Sequence, residues 1–362
     1  MKRSFLWASL PVLVAIAACK SGTTTDSSTG GTTGAGGDCG IKDAKNDEFC
    51  KATPGDLSCS ELKGNENVQV CGVALQAPTD ELQRSSTVKE FPGSGPPKVS
   101  CYEAANYPKA PGTSAMVTAK GVAKIFSSGC ESKNLSITFH KVKRGGAEDG
   151  ALGDVVGATV VTPADCKVDG VASANDKCGM RYECNYAYPN VPTETELAIK
   201  TEGTGTWSPL IQYNIYIPSS EVVGGEWVHD VRALAADDYT AIPAVAVGGI
   251  TKGNGVVAGE IHDCEDVRLI NATANTDRPS RKFTYFGSDE DNPLPDIQAT
   301  STGRLGLYAA FDIVPGPITV AATGLVNGEV VTLGQHRVYV YPDSVTSVTF
   351  KGMQPYQLPP TP

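Results

Sequence analysis

Four groups of side chains have the types and spacing that site chemistry needs. His262-Asp263-Cys264-Glu265 sets an imidazole and a carboxylate at the H-x-x-E spacing of a zinc hydrolase, and His336 would supply the third ligand. His229-Asp230 and His262-Asp263 each put an imidazole beside a carboxylate, a donor pair that one shared metal would accept. The run Ser288-Asp289-Glu290-Asp291-Asn292, with Asp296, gathers carboxylates and carbonyls suited to calcium. Trp207, Tyr213 and Trp227 lie near turns or strand ends, where exposed rings would stack on a sugar or on another protein.

The metal readings are weak on the residues themselves. Cys264 stands between His262 and Glu265 and is a disulfide candidate, so the zinc motif reads as a polar loop at a strand end. The acidic run lacks the spacing of a calcium loop and reads as a solvated hairpin tip. No G-x-S-x-G nucleophile motif occurs, and no glycine loop joins a strand to a helix in the manner of a phosphate site. The expectation is a protein that is not an enzyme, with no catalytic residue, metal site or cofactor, and with Trp207, Tyr213 and Trp227 as the ligand-contact candidates.

The elements that must carry these residues are strands. The chain has 362 residues with Gly 39 and Pro 24 and few stretches of helical period, which favours β structure with many turns. In Thr300–Gly324, Leu305, Leu307, Ala309, Phe311 and Ile313 alternate, Pro315-Gly316 breaks the run, and Ile318, Val320 and Ala322 resume it. That is a β-hairpin with one buried face. A matching pattern stands 123 residues earlier: Tyr182, Cys184, Tyr186 and Tyr188, then Val191-Pro192, then Leu197 and Ile199. At this offset Gln212 also matches Gln335 and Tyr216 matches Tyr339; at an offset of 134, Gly121-Val122 matches Gly255-Val256, Cys130-Glu131 matches Cys264-Glu265 and Leu135 matches Leu269. Two colinear blocks indicate a duplicated unit with 11 extra residues in the first copy, between Phe139 and Met180. Between the copies, Val228–Ala236 is expected as a short helix and Ala241–Ile250 as a strand.

The N-terminus reads as an export signal. Lys2 and Arg3 precede an apolar run, Phe5 to Ala18, too short to span a bilayer. It ends Ile16-Ala17-Ala18-Cys19, which resembles the bacterial lipobox and implies cleavage and acylation at Cys19. Lys20, where an Asp would retain such a protein at the inner membrane, implies the outer membrane, facing the periplasm or the cell surface. Loss of Lys2 and Arg3 takes the formal charge from −10 to −12, and an acidic chain argues against a nucleic-acid partner. The next stretch, KSGTTTDSSTGGTTGAGG, has the composition of a flexible tether, about 20–25 Å in mean reach.

Ten cysteines remain: Cys39, Cys50, Cys59, Cys71, Cys101, Cys130, Cys166, Cys178, Cys184 and Cys264. An even number in an exported chain reads as a disulfide set, with connectivity left open. Five precede the first copy, four lie in it and one lies in the second, so complete pairing requires a bond between segments, and Cys101 or Cys264 is expected to take part.

Gly255-Val256-Val257, Ala272, Thr302-Gly303, Val314-Pro315-Gly316, Ile318-Thr319-Val320 and RVYVYPDSVTSVTF at 337–350 resemble the carboxypeptidase regulatory-like, or transthyretin-like, domain. The resemblance covers 253–350 well and 115–220 more weakly, where Thr193 replaces the turn glycine. It implies seven-stranded antiparallel sandwiches. It also removes the zinc reading, because in that family the ligands belong to a separate catalytic domain. The expected chain is all-β: a signal peptide at 1–18, lipidated Cys19 and tether at 19–37, a Cys-rich segment at 38–111, a first sandwich at 112–222, a connector at 223–252, a second sandwich at 253–350 and a Pro-rich tail at 351–362. The expected role is envelope-structural or protein-binding and adhesive, with a carbohydrate-binding module as the alternative and a metal-dependent hydrolase, which would need His229, His262 or Glu265 to converge in a pocket, as the third; the partners are the membrane, through the lipid, and an envelope protein or polysaccharide.

Overall fold

A computed structural model describes residues 78–103, 106, 111–126, 128–175 and 177–357. The signal, Cys19, the tether and Cys39, Cys50, Cys59 and Cys71 lie outside the described residues. What is described is mostly β. A short strand, β1 (Gln83–Arg84), precedes the first copy, which contains β2 (Met116–Phe126), β3 (Ser136–Val142), β4 (Leu152–Val161), β5 (Val171–Asn175), β6 (Gly179–Glu183), β7 (Asn185–Pro192), β8 (Leu197–Gly203), β9 (Trp207–Ile215), β10 (Glu226–Val228) and β11 (Val231–Ala235). Helix α1 (Ala236–Val247) leads to the second copy: β12 (Gly255–Glu260), β13 (Leu269–Ile270), β14 (Thr273–Thr276), β15 (Lys282–Phe286), β16 (Pro295–Asp296), β17 (Leu307–Ile313), β18 (Gly316–Val326), β19 (Glu329–Val340) and β20 (Val345–Val348).

The duplication is visible in the pairing. β2 lies antiparallel to β7 and parallel to β11; β12 lies antiparallel to β17 and parallel to β20. β8 pairs with β3 and β9, and β18 pairs with β14 and β19. The matched glycines have one physical reason. A Cβ at Gly121 would stand 2.0 Å from the His229 carbonyl oxygen, and one at Gly255 would stand 2.5 Å from that of Tyr341. In each copy the first strand meets backbone at the closing strand too closely for a side chain.

The expectation for 223–252 is corrected. Val231–Ala235 is a strand, and it closes the first sandwich as β20 closes the second; the helix is Ala236–Val247. Val231 and Ala233 are buried in the first core, whereas Leu234 belongs to another cluster, a two-residue alternation that fits a strand. The following run has Asp237 and Asp238 in its first turn and left-handed Gly248 at its end, which are helix boundary signals.

The two sandwiches are fused. Strand β9 of the first copy pairs parallel with β20 of the second, so one 13-stranded sheet runs through both. Its inner faces pack into two separate cores, one around Phe139, Tyr188 and Ile199 and the other around Tyr308, Val320 and Phe350. Its opposite face carries a third cluster, with Leu210, Leu234, Val256, Phe311 and Val345 under Ile242 of α1.

Three disulfides lie among the described residues. Cys101–Cys264 crosses from the N-terminal segment to the second copy, while Cys130–Cys178 and Cys166–Cys184 close within the first. The β5–β6 hairpin falls in the region of the extra residues and is stapled through both local bonds.

Candidate functional site

The continuous sheet builds the site by alternation. On β12, Val257 faces the second core, so Val256, Ala258 and Glu260 face the opposite side; on β11, Arg232 and Leu234 do the same, and on β9, Leu210 and Gln212. Helix α1 and the segment containing Phe91 cover this face without filling it. A cavity of about 380 Å³ is left between them, which is within the range of small-molecule pockets.

One part of the cavity is apolar, lined by Phe126, Leu210, Ile242, Val256 and Phe311. Ion pairs line the other. Glu90 takes the Lys124 ammonium and the Arg232 guanidinium, each at 2.7 Å. Burial pushes the Glu90 carboxyl up, but Arg232 and Lys124 more than offset it and leave it at about 2. Glu260 accepts from His262 Nε2 at 2.8 Å and from Arg268 at 3.1 Å. Burial opposes its ionisation, yet His262, Arg268 and Arg232 hold it well below the usual carboxylate range. His262 also meets Asp266 at 2.7 Å through Nδ1; burial disfavours its charge, and these two carboxylates reverse the effect and raise its pKa. Asp230 accepts from the Val122 N–H and lies 3.1 Å from Lys124. These pairs satisfy one another and leave little for a ligand.

Other polar groups on the cavity are uncommitted. The Ser347 and Thr349 hydroxyls have no hydrogen-bond partner, and the Lys351 ammonium no ion pair, among the described residues. The His229 ring stacks on Trp227 at 4.5 Å, and burial followed by the nearby Lys351 charge lowers its pKa to about 3, so it is neutral. On α1, the buried Tyr239 hydroxyl has no hydrogen-bond partner.

The residues singled out in the sequence separate into those on the cavity and those elsewhere. Tyr213, His229, Asp230 and His262 line it together, whereas the Asp263 carboxylate is buried and accepts from Arg84 at 2.6 Å. Glu265 is held by the same guanidinium at 2.6 Å, Cys264 is bonded to Cys101, and His336 is buried against Phe350. His262, Glu265 and His336 therefore have separate partners. In the acidic hairpin, Asp289 accepts from the Asp291 N–H, Glu290 from the Lys89 N–H, and Asp291 pairs with Lys89 Nζ. Asp296 accepts from the Gln298 N–H.

The exposed-aromatic expectation is corrected. Trp207 is 4 % exposed, Tyr213 2 % and Trp227 4 %. Their polar atoms donate to the Lys133 carbonyl, the Gly150 carbonyl and Glu221, so the rings pack inside and form no exposed stacking platform, and of the three Tyr213 lines the cavity. Lys124, Arg232, Glu260, Ser347, Thr349, Lys351 and Tyr239 escaped the sequence reading. A weak signal existed: Val256, Ala258, Glu260 and His262 are successive same-face positions that turn from apolar to charged. No family model and no curated protein matches the chain.

Proposed function

We propose that the chain is a non-catalytic, transthyretin-like binding protein of the bacterial envelope, anchored in the outer membrane by lipid on Cys19 and carrying a small-molecule ligand in the cavity between the shared sheet and its cover of α1 and the Phe91 segment. The observation that carries this reading is the division of labour in the cavity wall. Its ion pairs are mutually satisfied and hold the two copies and the N-terminal segment in place, while Tyr239, His229 and Lys351 are left for something else. Burial of Trp207, Tyr213 and Trp227 takes support away from the polysaccharide reading. The lipobox and tether support display at the membrane.

The test is on the full chain expressed in a Gram-negative envelope. Labelled palmitate should enter the wild type and not the Cys19→Ala variant. Native mass spectrometry of the lipoprotein in nanodiscs should show a non-covalent mass adduct that is lost on unfolding. Lipidation without any adduct would leave an anchored protein and end the binding reading.

A further inference from the structure

Resting on the reading of the cavity as a binding site, we infer that its ligand is a single-chain amphiphile, with an anionic head at Lys351 and a hydrogen-bonding group near the far end of its chain at Tyr239.

Shape comes first. Val345 and Lys351 both line the cavity and belong to one extended stretch that begins with β20. Six residues at about 3.3 Å each separate them by roughly 20 Å. The volume of about 380 Å³ is in the small-molecule range, and the stretch from Val345 to Lys351 runs along one wall of it. The floor of the cavity is Leu210, Val256 and Phe311, which would bury methylenes at about 0.8 kcal/mol each.

Charge fixes the direction. Ser347, Thr349 and Lys351 stand at successive same-face positions and offer two hydroxyls and an ammonium, with the neutral His229 ring also on the cavity. Four carboxylates line the same space, but Asp230 is taken by Lys124 and the Val122 N–H, Asp238 by the Ser128 N–H and hydroxyl, Glu260 by His262 and Arg268, and Asp266 by His262, with the Lys351 charge acting on it from further off. Lys351 is thus the cation on the cavity wall that has no ion pair among the described residues. At the other end, Tyr239 lies near Asp312 and Asp343, close to where β17 ends and β20 begins. Its hydroxyl is buried without a partner, which costs about 1–3 kcal/mol unless a ligand atom or water meets it. An apolar chain tip would leave that cost in place. A chain carrying a hydroxyl or carbonyl near its end removes it.

The test uses the intact lipoprotein in phosphatidylcholine vesicles with a diazirine-bearing hexadecanoate. Photolabelling should map to peptides carrying Leu210, Val256 or Phe311. Hexadecanoate and hexadecyl phosphate should compete, and hexadecyltrimethylammonium should not; which of the two anions competes better identifies the head, carboxylate or phosphate. Lys351→Glu, whose parent side chain holds no ion pair, should keep the wild-type melting temperature and lose about tenfold in labelling. ω-Hydroxyhexadecanoate should compete about fivefold better than hexadecanoate, and Tyr239→Phe should erase that difference. Equal competition by the cation, unchanged labelling in Lys351→Glu, or label confined to the N-terminal tether would each overturn the proposal. A native adduct without chain labelling would sink the amphiphile and leave the binding role standing; absence of both would sink the two together.

Discussion

Cys130 and Cys264 occupy the same place in the two copies of the repeat and do different things. Cys130 bonds Cys178 inside its own copy, whereas Cys264 bonds Cys101 in the segment that precedes both. The glutamates that follow them diverge in the same way: Glu131 accepts from the Cys166 N–H in its own insertion, and Glu265 takes Arg84 from the N-terminal segment. At this pair of positions the first copy is closed on itself, although its Lys124 and Arg232 reach Glu90 elsewhere. The second reaches outward there, and its outward ties run through Arg84 to Asp263 and Glu265 and through Phe91 to His262, in the segment that roofs the cavity. Duplication supplied two similar scaffolds, and the change of partner at one aligned cysteine made the second of them the anchor for a cover.

The largest effect should come from cutting these staples. On chain entropy alone, with 163, 48 and 18 residues enclosed, the bonds Cys101–Cys264, Cys130–Cys178 and Cys166–Cys184 contribute ~5, ~4 and ~3 kcal/mol. Paired Cys→Ser variants, compared by urea midpoint, should fall in that order. The comparison predicts more than a ranking. Losing Cys101–Cys264 should open the roof and speed hydrogen exchange in 85–93, while losing Cys130–Cys178 should speed it only in the β5–β6 hairpin. Equal exchange in the two regions for both variants would mean that the difference in bonding has no local consequence.

A smaller effect separates the matched glycines. The Cβ of Gly121→Ala would press on the His229 carbonyl oxygen at 2.0 Å, against 2.5 Å to Tyr341 for Gly255→Ala. Both should destabilise by about 1–3 kcal/mol, the first more than the second, because rigid backbone has to move. Gly121→Ala should also displace His229 and weaken any ligand held beside Lys351. Gly255→Ala, at the opposite end of β12 from Glu260, should leave that end of the cavity intact. Urea denaturation and ligand competition on the same two proteins would check both statements.

How much of this could be read in advance depends on the range of the interaction. The hairpin Leu307–Ile313 and Gly316–Val326 was legible because the alternation of Leu305 to Ile313 and the Pro315-Gly316 break are local, and the duplication was legible because strand phase repeats with it. The strand Val231–Ala235 was missed: five residues with Arg232 as the second and alanines at the third and fifth have little propensity of their own, and what makes them a strand is β2 on one side and β9 on the other. The cavity was less legible still. Glu90, Lys124 and Arg232 meet across 142 residues of sequence, and Lys124 stands beside Arg232 only because β2 and β11 pair in that register. Polar residues on Trp207, Tyr213 and Trp227 neighbourhoods gave no sign of burial, because aromatic rings near turns serve rim and core equally well.

The smallest and most selective test is of pH, and it divides the histidines within the second copy. His336 is buried and its Nδ1 lies 3.1 Å from the Gln357 amide, and burial, followed by the Arg144 charge, lowers its pKa to about 3. The unfolded chain, with a histidine near 6.5, then binds the extra proton between those values, so the contribution of His336 is present above about pH 6.5 and is lost as pH falls below it. His262 has the opposite sign. Its pKa is raised because Asp266 and Glu260 outweigh burial, so its contribution is complete below about pH 6.5 and is lost as pH rises through the raised folded value. Each slope is bounded by about 1.4 kcal/mol per pH unit. Urea denaturation of the wild type against His336→Gln should therefore show a stability difference that shrinks on acidification. Against His262→Gln, the difference should shrink on the alkaline side. If the two differences ran in the same direction, the network that holds Glu260 and Asp266 on His262 would not be the charged one described above, and the outward anchoring of the second copy would have to rest on the Cys101–Cys264 bond and the Arg84 pairs.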